Sequence, residues 1–131
     1  MGHPMFEPGS YYDIELISGV ALRAGLMGGV ALAGQPGATP IMSIDDFYNL
    51  WRSLTLISQE RARGEYRYAT GADVVNVISA GRHGPIELRA FGGELFLTLS
   101  PNQLGDLLAA LERRFAGCHR TAEFYARIAL N

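Results

Sequence analysis

The chain has 131 residues, the length of a single domain, and a chain of this size can bury a core without metal or disulfide staples. Apolar residues make up 48% and charged residues 18%, which excludes intrinsic disorder. The net charge of −2 argues against nucleic-acid or membrane binding driven by charge alone.

Residues 1–10 hold Pro4, Pro8, Gly2 and Gly9 and are expected to form a flexible arm ahead of one domain over residues 11–131. Met1-Gly2-His3-Pro4-Met5-Phe6 lacks the basic-then-apolar pattern of a signal peptide and the Ser or Thr of a myristoylation motif. Tyr11 to Ser18 reads as a strand, because Tyr12, Ile14 and Leu16 alternate with Asp13 and Glu15. Gly19-Val20-Ala21-Leu22 is then echoed by Gly29-Val30-Ala31-Leu32, which fits two short strands joined by a turn near Gly28-Gly29. Ile14 to Ala33 is apolar enough to raise the question of a membrane span. Glu15, Arg23 and the glycines count against it, since a central arginine costs roughly 2.5–3.5 kcal/mol to insert. The expectation is strands, no membrane and a cytoplasmic protein. Gly34 to Pro40 reads as a loop.

Ser43 is a candidate N-cap, with Asp46 in the capping-box position and both Asp45 and Asp46 complementing the helix dipole. Phe47, Leu50, Trp51, Leu54 and Ile57 recur at three- and four-residue spacing, the stripe of a core-facing helix. This helix is expected over Ile44 to Arg63, ending at Gly64. Four strands should follow: Glu65 to Ala69, Asp73 to Ala80, Ile86 to Phe91 and Glu94 to Leu99. Gly92-Gly93 between the last two is a two-residue hairpin signal. Ser100-Pro101-Asn102-Gln103 starts a helix with N-cap, N1 proline and capping box. Its stripe is Leu104, Leu107, Leu108, Leu111 and Phe115. Thr121 caps a final short helix. Runs of strands alternating with single helices predict an α+β fold: an antiparallel sheet of N-terminal strands, a long helix, a four-strand meander, and a C-terminal helix packed on it.

A two-residue Gly92-Gly93 turn pairs Ala90 with Leu95, Arg89 with Phe96 and Leu88 with Leu97. One face of the hairpin is then core: Ile86, Leu88, Ala90, Leu95, Leu97 and Leu99. The other carries Glu87, Arg89, Phe91, Glu94, Phe96 and Thr98, with an arginine across from an aromatic ring. Tyr66, Arg67 and Tyr68 could extend it. Arginines interleaved with aromatics on a sheet form a stacking platform in single-strand nucleic-acid binders. The four-strands-then-helix order over about residues 65 to 115 resembles the repeat of the positive cofactor 4 and Whirly families, a resemblance of element order with no diagnostic motif. The alternative reading buries Phe91 and Phe96 under the long helix or in a homodimer interface.

For chemistry, every basic residue is arginine, which removes lysine-dependent mechanisms. His83 lies in Gly81-Arg82-His83-Gly84-Pro85, where Arg82 and His83 could meet an anion or His83 could act as acid or base. Cys118 and His119 are adjacent, so their side chains diverge on a helix or a strand and do not form a dyad. No His or Cys pair has metal-ligand spacing, and no dinucleotide, phosphate-loop or nucleophile-elbow pattern occurs. No catalytic residue, metal or cofactor is expected. The leading expectation is a non-enzymatic protein-interaction module, of inhibitor, immunity or assembly type, acting as a homodimer or on another protein. Its binding residues would be Arg67, Arg82, His83, Arg89, Phe91 and Phe96. Single-stranded nucleic-acid binding on the same face is the first alternative, and a small-ligand or enzyme site at the His83 loop the second.

Overall fold

A computed structural model describes residues 11–25, 28–60, 64–70, 73–79, 81, 83–118 and 121–129. Its elements are β1 (Tyr11–Ile17), β2 (Val20–Gly25), β3 (Val30–Ala33), β4 (Gln35–Pro36), α1 (Ile44–Glu60), β5 (Gly64–Thr70), β6 (Asp73–Ser79), β7 (Ile86–Ala90), β8 (Leu95–Leu99), α2 (Pro101–Phe115) and α3 (Thr121–Ala129). The strands form two antiparallel sheets, ordered β1-β2-β3 and β4-β8-β7-β6-β5. The α+β expectation therefore holds, with the N-terminal strands as a sheet of their own. The expected arm over residues 1–10 lies outside the described residues.

The described residues of the apolar stretch from Ile14 to Ala33 form strands β1, β2 and β3 with turns between them. Its echo has a structural meaning: Ile14 pairs with Leu22, and Leu22 with Leu32, so one buried row crosses the sheet. The β2–β3 turn needs its glycines. Gly28 and Gly29 have φ of 103° and 88°, and the Gly25 N–H donates to the Gly29 carbonyl at 3.0 Å. Among the described residues no helix is long and apolar enough to cross a membrane.

The Gly34–Pro40 loop differs from expectation. Gln35 and Pro36 form β4, pairing with Thr98 and Leu97 of β8. Proline lacks an N–H and is confined to sheet edges, which is where β4 lies; two residues are too few to show a strand pattern. A β-carbon on Gly34 would sit 2.9 Å from Leu97 Cδ1, so glycine lets the chain cross from one sheet to the other against β8.

Helix α1 starts as expected, with the Ser43 hydroxyl accepting from the Asp46 N–H at 3.1 Å. It buries Ile44, Phe47, Leu50, Leu54 and Ile57. Trp51 is half-buried at the border of that stripe, stacked on Tyr48 at 5.8 Å. The helix is described as far as Glu60, and its expected end at Arg63 lies outside the described residues. Gly64 begins β5, and Arg61 and Arg63 are likewise outside the described residues. In α2 the capping box is complete: Ser100 Oγ accepts from the Gln103 N–H and Gln103 Oε1 from the Ser100 N–H, each at 3.0 Å. Helix α3 is held by aromatic packing. Phe124 stacks on Phe115 at 3.9 Å and meets Phe47 edge-on at 5.8 Å, and Arg127 donates to the Arg114 carbonyl at 3.0 Å. The Tyr125 hydroxyl accepts from the Gly29 N–H, tying α3 to the β2–β3 turn. One buried cluster joins both sheets and all three helices.

Candidate functional site

The β7–β8 hairpin positions most of the residues expected to bind, and its turn is longer than two residues. The Gly93 N–H donates to the Ala90 carbonyl at 2.9 Å, and the Ala90 N–H to the Glu94 carbonyl at 2.7 Å. The loop is thus Phe91-Gly92-Gly93, with Gly93 alone of the two glycines in the left-handed region, at φ 103°. This is the three-residue hairpin that ends in a left-handed glycine.

The extra loop residue is absorbed by a bulge. Leu88 pairs with Leu97 as expected, but Arg89 pairs with Leu95, leaving Phe96 between them. A bulge re-aims a side chain. Here Phe96 joins the core, only 9% exposed, and its carbonyl accepts from the Gly37 N–H at 2.9 Å. The expected face with Phe91, Arg89 and Phe96 side by side is therefore corrected. Phe91 stands in the turn, 62% exposed, the most exposed large apolar residue among those described.

Arg89 is also placed differently from the expected cation–ring pairing with Phe96. Its Nε donates to Glu87 Oε1 at 2.9 Å, and a terminal nitrogen donates to the Gly93 carbonyl at 2.7 Å. The guanidinium therefore braces its own hairpin. Across the sheet, Arg89 pairs with Asn76, and Asn76 with Arg67. Tyr66 and Tyr68 pair with Val77 and Val75, which are buried. Register thus places Arg67 in the row of Asn76 and Arg89, and Tyr66 and Tyr68 in the alternating rows of Val77 and Val75. The next outer row runs through Glu65, Ile78, Glu87 and Thr98. In these two rows Asn76 is buried, while Ile78, Glu87, Arg89 and Thr98 are half-buried, so Glu87 and Arg89 are the charged side chains of the second face among the residues whose burial is described.

His83 is exposed, while Arg82 and His119 lie outside the described residues. The cavity beside the His83 loop measures about 50 Å³ and is lined by Ile57, Ser58, Ser79, Gly81, Ile86 and Leu104, among others. A cavity of that size holds a water molecule or two, well below the roughly 300 Å³ at which ligand pockets begin. Cys118 is buried, and its carbonyl accepts from the Tyr48 hydroxyl at 3.0 Å. Burial of the Tyr48 phenol raises its pKa. Among the described residues no group of three or more metal-ligating side chains comes together.

Sequence reasoning missed one further feature. Glu15 and Leu16 of β1 share an open trough with Ala110, Arg113 and Arg114 of α2. The arginines were legible only as a basic stretch at a helix end; strand order, which makes β1 an edge beside them, is not written in the sequence. No protein-family model, no curated protein and no solved structure matches this chain.

Proposed function

We propose that the chain is a small cytoplasmic protein-interaction module without catalytic function, and that it pairs with a second copy of itself through the outward face of the five-stranded sheet. The observation that carries this reading is Phe91, projecting from the β7–β8 turn at the corner of that face. Aromatic side chains that enter a partner's pocket supply much of the binding energy of interfaces. The face beside it is balanced in sign, with Glu87 and Arg89 paired and Glu94 exposed nearby. A two-fold interface sets one patch against itself, so it needs this balance. A patch of one sign would repel its own copy.

The same balance weighs against the single-strand nucleic-acid reading. Glu87 occupies the guanidinium of Arg89, and a carboxylate in that position repels phosphate. A heterologous protein, in an inhibitor or assembly role, is the other partner this face would suit.

Sedimentation velocity on the wild type and on Phe91→Asp tests the proposal. The wild type is expected to pass from monomer to dimer as concentration rises to about 100 µM, and the variant to dimerise at least about tenfold more weakly. A wild type that stays monomeric over that range, or a variant that dimerises equally well, overturns it.

A further inference from the structure

We infer that the trough between the outer edge of β1 and helix α2 is a docking site for an extended segment of another protein. That segment would carry acidic side chains on the face turned toward α2 and basic ones on the opposite face. The geometry begins with the edge. β1 is terminal in its sheet, and among the described residues the backbone of residues 12–17 forms no hydrogen bonds beyond those to β2. Outward N–H and C=O groups on such an edge are a template for an added strand.

Helix α2 runs along this edge. A β-carbon on Gly19, in the turn after β1, would lie 3.7 Å from Gln103 Nε2 in the first turn of α2. One β-strand residue after another back along β1, Leu16 and Glu15 meet Ala110, Arg113 and Arg114 two to three helical turns later. The trough between them is open and about 240 Å³ in volume, wide enough to seat side chains of an added strand. The register shift between Glu15 and Ile17 is a bulge that lets the consecutive residues Glu15 and Leu16 both border it.

Charge then selects the occupant. Arg113 is exposed and forms no ion pair among the described residues. Glu15 borders not only this trough but also the hollow on the other face of the strand, where Asp13 and Glu15 align with Arg23 and Ala21. Arg23 is already held by both carboxylate oxygens of Asp13 at 2.8 and 3.0 Å, which leaves Glu15 to meet a cation. An added strand alternates its side chains between the two faces. Acids therefore belong on its α2 side and bases on its outer side. Pairing with a second copy of β1 fits poorly: an antiparallel register centred on Ile14 would set Asp13 against Glu15, and like charges directly opposite are destabilising.

The test uses two labelled peptides of identical composition and zero net charge. Thr-Glu-Lys-Val-Lys-Glu-Thr puts both acids and the valine on one face and the lysines on the other. Thr-Lys-Glu-Val-Glu-Lys-Thr exchanges the charged faces. By fluorescence anisotropy on the full chain, the first is expected to bind saturably below about 1 mM and the second at least about tenfold more weakly. Arg113→Glu should reverse the preference, and Arg113→Gln should remove it. N-methylation of the central valine amide or of the adjacent lysine amide should weaken binding of the first peptide by a similar factor, because one of these two consecutive amides faces β1 and its methylation deletes a ladder hydrogen bond. Equal binding of the two peptides, no saturation, or no response to either Arg113 variant overturns the inference. This trough is separate from the face bearing Phe91, so Phe91→Asp should leave peptide binding unchanged, and failure of either proposal leaves the other standing.

Discussion

The length of the β7–β8 turn decides where Phe96 goes, and two glycine-to-alanine substitutions test it. A two-residue turn of either hairpin type requires positive φ at its first central residue, which would be Gly92. In the three-residue loop only Gly93 has that conformation, at φ 103°. A β-carbon at either position would meet nothing within 4 Å, so packing contributes to neither substitution and the backbone alone separates them. Gly92→Ala should be neutral or stabilise by up to about 1 kcal/mol, through the loss of unfolded-chain freedom. Gly93→Ala should cost about 1–2 kcal/mol for forcing an alanine into the left-handed region. The gap of about 1–3 kcal/mol corresponds to roughly 3–15 °C in Tm for a chain of this size. Urea unfolding followed by the fluorescence of Trp51 reads it directly. The companion pair is Phe96→Ala, which should cost about 3–5 kcal/mol as a core truncation, and Phe91→Ala, which should stay within about 0.5 kcal/mol as a surface change. A larger loss from Gly92→Ala than from Gly93→Ala, or equal effects of the two phenylalanine truncations, would refute the bulged hairpin.

Three other outcomes follow from the geometry. Gly29→Ala should destabilise by about 2–4 kcal/mol, because φ is 88° and the new β-carbon would lie 2.6 Å from Ile41 Cγ2 and 3.1 Å from the Met42 carbonyl; a Tm within about 2 °C of wild type would contradict this. Ser100→Ala should cost about 1 kcal/mol by removing the hydroxyl acceptor of the Gln103 N–H, measured by the same urea titration, and Ser100→Asp should restore most of it. The hydrogen bond from Arg23 holds the Asp13 carboxyl below its usual range against an opposing burial effect. A depressed carboxyl pKa stabilises above the unfolded value and loses that contribution as pH falls through the folded one. The small advantage of wild type over Asp13→Asn should thus be present at pH 7 and close below about pH 4; a gap that persists at low pH would show that packing, not charge, is responsible.

Much of the architecture is legible because local chemistry and tertiary packing agree. Ser100-Pro101-Asn102-Gln103 encodes a helix start complete in itself, and the structure forms both halves of its capping box. The repeated Gly-Val-Ala-Leu encodes two strands whose leucines face one another. What failed was register. Two consecutive glycines are compatible with hairpin loops differing by one residue, and a shift of one residue sends a side chain to the other face. That single ambiguity moved Phe96 from an expected surface to the core and separated Arg89 from it. β4 escaped notice because its pairing with β8 depends on Gly34 allowing a close approach to Leu97, a long-range contact with no local signature. The trough beside β1 was invisible for the same reason, since its two walls lie almost a hundred residues apart in the chain.

Native mass spectrometry of protein purified gently at low salt addresses the proposed self-association most directly. The account predicts a dimer of the chain carrying no additional mass, reduced to monomer by Phe91→Asp. A monomer that retains an oligonucleotide or a small-molecule mass would contradict it, and the retained mass would identify the ligand class that replaces the interaction reading.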